Sequence, residues 1–566
     1  MSTYGFGSDG VPSTPEEVGP AFADGVVAAA GIAVYGAGSA DAAATRAALV
    51  GDGVPAKLVA KDATLWGPEA EEEAKIRLGW VDTFRRSRDL LPRLAELRTE
   101  LADLDHVVLA GMGGSSLAPE VITRTLGVPL TVLDTTDPGQ LRKALGDRLT
   151  TTLVVVSSKS GGTVETDSHR RAYLQAFLDA GLSEAEAGRH FVVVTDPGSP
   201  LEATGREMGA QVFLADPDVG GRYSALTAFG VVPSALAGVD VAELLDQAEA
   251  LLPALGEEGG NPGLALGAAL GAAAVEGRDK VALVSDGTGI VGLGDWAEQL
   301  IAESTGKEGK GILPVVIETP DSPGAHGSDV VTVTVGGAQL PSGVPGGGVR
   351  PDLAVNGPLG AQFLAWEYAT AVAGRVIGID PFNQPNVTES KNNTNHILSS
   401  GLPTEAPSLT EGAVEVYGGS GDSLAAVLGG LVDGLGSDGY LAVLAYLDRI
   451  GDARGEGARA LLATASGRPV TFGWGPRYLH STGQYHKGGP QVGSFLQITG
   501  AVADDLPVPG KPYSFGELQA AQAAGDRQAM ADRGRPVVRL HLTDRAAGLD
   551  QLLGALASLP ARGDRH

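Results

Sequence analysis

The sequence contains no cysteine among its 566 residues. Disulfide bonds, zinc sites with thiolate ligands and a cysteine nucleophile are therefore excluded. Basic residues are also in short supply, because 41 lysines and arginines stand against 68 aspartates and glutamates and leave a formal net charge of −27. A surface this acidic repels nucleic acids and anionic membranes unless basic residues gather in one patch, and the sequence shows no such patch. We expect no nucleic-acid partner and no membrane partner.

Long hydrophobic runs are missing as well. The apolar stretches 26–40 and 263–275 are too short and too rich in glycine and alanine to span a membrane. No basic segment precedes the first of them, so we expect a cytoplasmic protein without a signal peptide. Glycine is abundant, with 83 residues, but 43% of the chain is hydrophobic and apolar runs recur throughout. General disorder and a collagen-like repeat are therefore excluded.

Short β-branched runs such as HVVLAG and TLVVVSS alternate with helical segments from residue 106 onward. This alternation predicts βαβ units around parallel sheets, and hence an α/β fold class. We expect four regions: a helical N-terminal extension (1–100), a first α/β domain (101–238), a second α/β domain with a closing segment (239–400), and a C-terminal α/β region (401–566). The Gly/Pro-rich run 339–351 predicts a loop.

Two turns rich in glycine and serine each follow a strand and open a helix. GMGGSS spans 111–116, and SSKSGG spans 157–162. Free backbone N–H groups at a helix start favour an anion such as phosphate, and ligands bind at the carboxyl ends of parallel strands. Turns that merely cap helices explain the composition equally well. Neither turn is a Walker loop or a complete GxGxxG, so nucleotide binding is not indicated.

Two further segments carry groups suited to acid–base chemistry. The loop DPDVGGRYS (216–224) places Arg222 after a predicted strand, where it could stabilise an oxyanion; a surface salt bridge is the alternative. In the helix DWAEQLIAESTGK, Gln299 and Glu303 are four residues apart and share one face. Glu303 could be a general base facing a cleft, and an exposed carboxylate on an amphipathic helix is the alternative.

Five motifs, in this order along the chain, resemble the phosphoglucose isomerase family. GMGGSS is similar to the family's first phosphate-side loop, SKSGGTVE to its main phosphate loop, GGRYS to its arginine signature, QLIAES to its catalytic-glutamate segment, and FNQPNVTESK (382–391) to its second signature. The resemblance covers about residues 101–395. It implies two sugar-isomerase domains of the flavodoxin-like αβα type and a homodimer that acts on a sugar phosphate. The implied activity interconverts glucose 6-phosphate and fructose 6-phosphate without a metal or cofactor.

The resemblance also implies residue roles. Glu303 would move the proton, Arg222 would stabilise the enediolate, and Lys391 would assist at the ring oxygen. The phosphate contacts would come from Gly113, Gly114, Ser115, Ser158, Lys159, Ser160 and Thr163, and other substrate contacts from Gly221, Gln299 and Gln384. Two alternatives stay open: a non-catalytic sugar-phosphate-binding regulator, and an isomerase that also accepts mannose 6-phosphate. A regulator would need neither Glu303 nor Lys391, and the acidic N-terminal extension shows no basic helix-turn-helix.

The family's ring-opening histidine segment is not recognisable between Glu303 and Lys391, where His326 is the single histidine. RYLHSTGQYHKGGP (477–490) resembles the end of the isomerase half of bacterial transaldolase–isomerase fusions and holds His480 and His486. A transaldolase barrel needs about 250 residues and does not fit before residue 101. We therefore predict that the C-terminal region closes the active site, on its own subunit or a partner's, and that His480 or His486 opens the sugar ring. Histidines that only stabilise the loop are the alternative.

Overall fold

The computed structural model describes residues 25–338 and 351–562. The first 24 residues of the predicted N-terminal extension lie outside this range, as does nearly all of the predicted Gly/Pro-rich loop. Within the described ranges, every helix is too short or too polar to cross a bilayer.

The strands of the described residues are β1 (Val27–Ala29), β2 (Ile32–Tyr35), β3 (His106–Gly111), β4 (Thr131–Leu133), β5 (Thr152–Ser157), β6 (Phe191–Thr195), β7 (Gln211–Leu214), β8 (Lys280–Ser285), β9 (Leu313–Val316), β10 (Val330–Gly336), β11 (Leu353–Asn356), β12 (Leu409–Glu411), β13 (Val414–Tyr417), β14 (Tyr440–Tyr446), β15 (Val470–Trp474), β16 (Gly493–Gly500) and β17 (Val537–Leu542).

The α-helices of the same ranges are α1 (Ala40–Gly51), α2 (Val54–Val59), α3 (Glu71–Lys75), α4 (Thr83–Ser87), α5 (Leu91–Glu100), α6 (Leu117–Thr125), α7 (Pro138–Gly146), α8 (Val164–Asp179), α9 (Glu184–Arg189), α10 (Pro200–Glu207), α11 (Ala228–Ala237), α12 (Val241–Leu255), α13 (Pro262–Val275), α14 (Leu293–Thr305), α15 (Leu359–Ile377), α16 (Val387–Ser400), α17 (Leu424–Asp433), α18 (Gly457–Ser466), α19 (Gly483–Gly488), α20 (Phe515–Ala531) and α21 (Arg545–Ala557).

The first sheet has the strand order β4-β3-β5-β6-β7, and all of its pairs are parallel. Strand β5 is buried at every position because helices cover both faces. Val155 packs into the core on one face, whereas Val154 and Val156 pack into a second core on the other. A strand covered on both faces is expected to have a continuous apolar sequence rather than an alternating one. The prediction of an α/β fold is confirmed.

The second sheet has the order β1-β2-β11-β10-β8-β9, in which the last four strands are parallel and β2 is antiparallel to β11. Strands β1 and β2 form a hairpin that turns at Ala30 and Gly31, both with positive φ. The prediction of a helical N-terminal extension is therefore wrong for 27–35. This segment completes the second sheet, and the apolar residues of β2 are all buried, so no alternating pattern marks them as a strand.

The third sheet, in the C-terminal region, has the order β12-β13-β17-β16-β14-β15. It repeats the plan of the second sheet, because a hairpin pairs antiparallel with the last of four parallel strands. Val315 of β9 and Leu444 of β14 belong to one apolar cluster, so the second and third sheets share a core. This packing brings the C-terminal region against the two central sheets.

Candidate active site

A cavity of about 470 Å³ lies at the carboxyl edge of the first sheet, between its loops, helix α14 and the C-terminal region. Of the residues predicted for the site, all except Ser158 and His486 line it: Gly113, Gly114, Ser115, Lys159, Ser160, Thr163, Gly221, Arg222, Gln299, Glu303, Gln384, Lys391 and His480. The cavity collects side chains from segments almost 370 residues apart in sequence. The sequence motifs thus converge on one site.

The two glycine-rich turns adjoin because their strands are neighbours. Gly111 at the end of β3 is paired with Ser157 at the end of β5. A Cβ atom on Gly114 would lie 1.9 Å from the carbonyl oxygen of Gly221, so only glycine lets the GMGGSS turn pack on the arginine loop. Gly113 also has a positive φ of 54°. These glycines fix the backbone that forms one wall of the cavity.

The second turn presents hydroxyl groups at the start of a 16-residue helix. Thr163 stands at the N-cap of α8, but its side chain does not cap the helix. Its Oγ1 lies 2.9 Å from Oγ of Ser158. Ser158 therefore contacts Thr163 but does not itself line the cavity. Ser160 Oγ accepts a hydrogen bond from the N–H of Gly162 at 3.3 Å. Free N–H groups at a helix start, flanked by hydroxyls, suit an anion such as phosphate.

Lys159 reaches the cavity but is already paired. Its Nζ lies 2.5 Å from Oδ2 of Asp196, which also lines the cavity. Burial raises the pKa of the Asp196 carboxyl, and the Lys159 ammonium only partly offsets this. Arg77, from the N-terminal extension, contributes a further cation to the lining, and its Nε donates to Glu73 at 2.8 Å. Asp196 and Arg77 have no local sequence signal and were not predicted.

Arg222 and Glu303 form a buried ion pair in the cavity wall. Nη1 of Arg222 lies 3.6 Å from Oε2 of Glu303, and the two side chains are 1% and 5% exposed. Nε of Arg222 donates to Ser304 at 2.9 Å, and Nη2 donates to the carbonyl oxygens of Pro381 and Asn383 at 2.7 and 3.1 Å. Arg222 is therefore not part of a surface salt bridge, and Glu303 is not an exposed carboxylate on a helix. Both alternative interpretations are wrong.

The surroundings of Glu303 favour its action as a general base. Burial raises the pKa of its carboxyl, and the nearby Arg222 guanidinium pulls it back only in part. Nε2 of Gln384 donates to Oε2 of Glu303 at 3.2 Å. A carboxylate whose pKa lies above its ordinary value accepts a proton more readily near neutral pH.

Gln299 links helix α14 to the C-terminal region. Its Nε2 donates to the backbone carbonyl oxygen of His480 at 2.8 Å, while its buried Oε1 has no hydrogen-bond partner among the described residues. A buried acceptor without a donor is costly unless a ligand supplies one. Gln299 also lines the cavity, so this oxygen is suited to accept a bond from a substrate hydroxyl.

His480 lies on a short 3₁₀ helix, Arg477–His480, that follows β15. Its Nε2 is 3.0 Å from Oε1 of Glu165. Burial alone would raise the pKa of Glu165, but the nearby His480 ring and its hydrogen bond outweigh burial and hold this pKa at about 2. An anionic Glu165 fixes the proton on Nε2, and no hydrogen bond among the described residues uses Nδ1. Glu165 stands within SKSGGTVE, yet its sequence position signals only a helix start.

His486, the second histidine predicted for ring opening, is in the wrong place. Its Nδ1 lies 3.0 Å from the hydroxyl of Tyr440, and its ring stacks on Tyr440 and meets Phe495 edge-on. Burial drives its pKa well below the ordinary value, so the ring stays neutral. It does not line the cavity, so the prediction is corrected for His486, and the role of His480 stays a prediction. His326 is exposed and also lies outside the lining.

The C-terminal region holds the Lys391 helix and the His480 turn together. Asp526 of α20, fully buried, accepts hydrogen bonds from Ser390 at 3.1 Å, from the hydroxyl of Tyr478 at 2.7 Å and from Lys487 at 2.7 Å. Ser390 precedes Lys391 on α16, and Tyr478 lies in the turn that carries His480. His480 of the C-terminal region thus lines the cavity together with residues of the two central sheets' loops and helices in the same chain.

Comparisons with known proteins show what part of the chain is similar to a described family. Residues 98–254 match the family model described as phosphoglucose isomerase. The resemblance to the phosphoglucose isomerase family is confirmed. Among curated relatives, a probable glucose-6-phosphate isomerase of Haloarcula marismortui is 34% identical over 222 residues, which cover 38% of this chain and 50% of that protein. The glucose-6-phosphate isomerase of Citrifermentans bemidjiense is 44% identical over 153 residues, or 25% and 28% of the two chains. The chain therefore spans half or less of the length of these phosphoglucose isomerase relatives.

Two solved structures share the fold. A hypothetical protein of Thermus thermophilus aligns with a TM-score of 0.54 and 24% identity, covering 62% of this chain and 95% of that one. A glucose-6-phosphate isomerase of Chlamydia trachomatis aligns with a TM-score of 0.54 and 20% identity, covering 67% and 91%. At these identities the likeness concerns the fold, and it agrees with the phosphoglucose isomerase match in sequence.

Proposed function

We propose that the chain is an aldose–ketose isomerase that interconverts D-glucose 6-phosphate and D-fructose 6-phosphate through a cis-enediolate, without a metal ion. The observation that carries the proposal is the buried pair Arg222–Glu303, 3.6 Å apart, in the wall of a cavity that also contains two anion-binding turns. A carboxylate and a guanidinium so placed supply a base for a carbon-bound proton and a cation for the oxyanion that forms.

The phosphate group of the substrate belongs at the start of α8 in this proposal. Ser160 and Thr163 offer hydroxyl groups there, and the first N–H groups of the helix point to the same place. Ser115 of the neighbouring turn lines the cavity from the other side. Because the phosphate does not react, these contacts bind substrate and transition state alike.

Ring opening must precede the isomerisation, because the C2 proton becomes acidic only when C1 is a free aldehyde. The C1–O5 bond breaks while a proton reaches O5 and the proton of the anomeric hydroxyl leaves. His480 and Lys391 line the cavity together, and Glu165 fixes the ring of His480 through Nε2. We assign proton transfer at the ring to His480 and stabilisation of the ring oxygen to Lys391.

Proton transfer between C2 and C1 is assigned to Glu303. The carboxylate removes the C2 proton, and one negative charge is shared by O1 and O2 of the enediolate. The O2 hydroxyl proton passes to O1, and the same carboxyl returns a proton to C1 to give the ketose. Arg222 lies beside Glu303 and can face that charge without moving, since four hydrogen-bond or ion-pair contacts fix its guanidinium. One carboxyl group thus serves first as base and then as acid.

The test is a coupled assay of the purified full chain with fructose 6-phosphate, with and without a chelator. We expect turnover in both conditions, and a fall of about 10²-fold or more for Glu303→Gln, both in turnover and in the incorporation of solvent deuterium at C2 of the glucose 6-phosphate product. Binding of fructose 6-phosphate without any turnover would replace the proposal with a sugar-phosphate regulator. Exchange near the native rate in Glu303→Gln would move the base to another residue.

A homodimer and a cytoplasmic location complete the proposal and rest on the resemblance alone. Light scattering on the purified chain tests the first. Parallel assays with mannose 6-phosphate determine whether the enzyme also accepts the C2 epimer.

A further inference from the structure

Gln522 of helix α20 reaches the Glu165 carboxylate from the C-terminal region. Its Nε2 donates to Oε1 of Glu165 at 2.7 Å, and its Oε1 accepts a hydrogen bond from the hydroxyl of Thr136 at 2.8 Å. Gln522, Glu165 and Thr136 are 3%, 3% and 0% exposed. Both ends of the amide are therefore occupied, and its orientation is fixed by a donor on one side and an acceptor on the other.

The same carboxylate oxygen also meets the histidine. Oε1 of Glu165 lies 3.0 Å from Nε2 of His480, so this single atom takes both the Gln522 and the His480 contacts. The amide is neutral, so it leaves the negative charge on Glu165 available to the imidazole. The amide holds Oε1 of Glu165 in place. Without this bond the Glu165 carboxylate is free to rotate, and Nε2 of His480 then loses its partner.

We propose that Gln522 is a positioning residue for ring opening, which holds Glu165 so that His480 keeps Nε2 protonated and leaves Nδ1 available to the sugar. This inference rests on the proposed function. It also gives the C-terminal region a second contribution, because β15 and the turn after it deliver His480 while α20 delivers the amide that orients its partner. The three groups Gln522, Glu165 and His480 form one hydrogen-bonded line from α20 to the cavity.

The experiment compares Gln522→Leu with a matched control, Gln519→Leu, on the full chain. Gln519 lies on the same helix and is also buried, and no hydrogen bond of its Nε2 exists among the described residues. Each variant is assayed with fructose 6-phosphate and with the 5-deoxy analogue, which cannot close a furanose ring. Histidine-selective ¹⁵N labelling reports which ring nitrogen of His480 carries the proton.

We expect Gln522→Leu to lower kcat on the cyclic substrate by about tenfold or more, the scale of one lost hydrogen bond to a charged group, with KM little changed. On the 5-deoxy analogue its kcat stays within about twofold of the wild type, and the ¹⁵N signals of His480 shift. Gln519→Leu changes neither the ratio between the two substrates nor these signals. A merely structural role for Gln522 would lower both activities together.

A second variant keeps the test decisive if Gln522→Leu does not fold. Thr136→Val removes only the hydroxyl that holds the Gln522 amide, and we expect a smaller loss of the same selective kind. Equal losses on both substrates, or unshifted His480 signals, in whichever variant folds would overturn the inference. His480→Ala distinguishes failure of the proposed function from failure of this inference. If His480→Ala shows no selective loss on the cyclic substrate, the proposed role of His480 fails. If His480→Ala shows a selective loss and the Gln522 variant does not, only the role of Gln522 is refuted.

Discussion

Replacing Arg222 separates two effects of its charge, one on the enediolate and one on the base. At 3.6 Å, two unit charges attract with about 5 kcal/mol at an effective dielectric constant of 20. Arg222→Gln removes this attraction, so burial acts on Glu303 almost unopposed and its pKa rises further. Glu303 must be ionised to take the C2 proton. The acid limb of the pH–rate profile therefore moves to higher pH in Arg222→Gln.

The same substitution removes the cation that faces the enediolate, for which we expect a loss of about 10²- to 10³-fold in kcat. Arg222→Lys is the matched variant, because it keeps the charge but lacks the planar fork that reaches Ser304, Pro381 and Asn383. We expect Arg222→Lys to lose kcat while its acid limb stays near that of the wild type. The assay is kcat against pH with fructose 6-phosphate, alongside the melting temperature of each variant.

Two results would refute this reasoning. If the acid limb of Arg222→Gln stays where the wild type has it, the group that titrates is not a carboxylate coupled to Arg222. If both variants retain kcat within about threefold, the guanidinium does not stabilise charge in the transition state. A fall in melting temperature without either kinetic change would leave Arg222 as a buried structural cation whose partners are only the carbonyl oxygens and Ser304.

Three further predictions follow from the site and its surroundings. Ser160→Ala combined with Thr163→Val should raise KM by about tenfold or more at nearly constant kcat in steady-state assays, because both groups hold the unreacting phosphate; an unchanged KM would remove this turn from the site. His480→Ala should lose activity on fructose 6-phosphate but not on the 5-deoxy analogue, whereas His486→Ala should lower only the melting temperature, and the reverse pattern would restore His486. Burial and a neighbouring carboxylate raise the pKa of Glu298 to about 8, so the wild type loses stability as pH rises from the unfolded-state pKa of Glu298 to about 8. Glu298→Gln lacks this loss and should gain about 3 to 4 kcal/mol over the wild type in chemical denaturation at pH 8 relative to pH 5; parallel pH curves for the two proteins would contradict this.

The parts of the site that follow strands of the first sheet were predictable from sequence. The carboxyl ends of parallel strands meet at one edge, so the turns that hold Ser160 and Arg222 had to converge once the strands were identified. Glu303 was predictable by its motif, but its burial was not, because periodicity alone is equally typical of an exposed helical face. Local sequence patterns therefore predict that the turns converge, whereas the burial of Glu303 depends on packing between sheets.

Groups whose role depends on partners distant in sequence could not be predicted. Glu165 and Gln522 are 357 residues apart and carry no local signal of their contact. His480 and His486 stand in one motif, and tertiary contacts distinguish them: His480 lines the cavity, whereas the ring of His486 packs against Tyr440 and Phe495. Strand β2 of the hairpin 27–35 was missed because all four of its residues are buried, and such a strand shows no alternation.

The three sheets share one order of parallel strands but contribute different chemistry to the cavity. Four parallel strands in each sheet follow the same plan: β4-β3-β5-β6, β9-β8-β10-β11 and β15-β14-β16-β17. Both turns proposed to bind phosphate follow strands of the first sheet, so their geometry depends on the backbone of one sheet. The groups proposed to move protons come from elements that pack over it, namely Glu303 on α14 and His480 after β15. Phosphate binding should therefore withstand small shifts between the sheets, whereas proton transfer should not, and loosening the core shared by the second and third sheets should lower kcat before it raises KM.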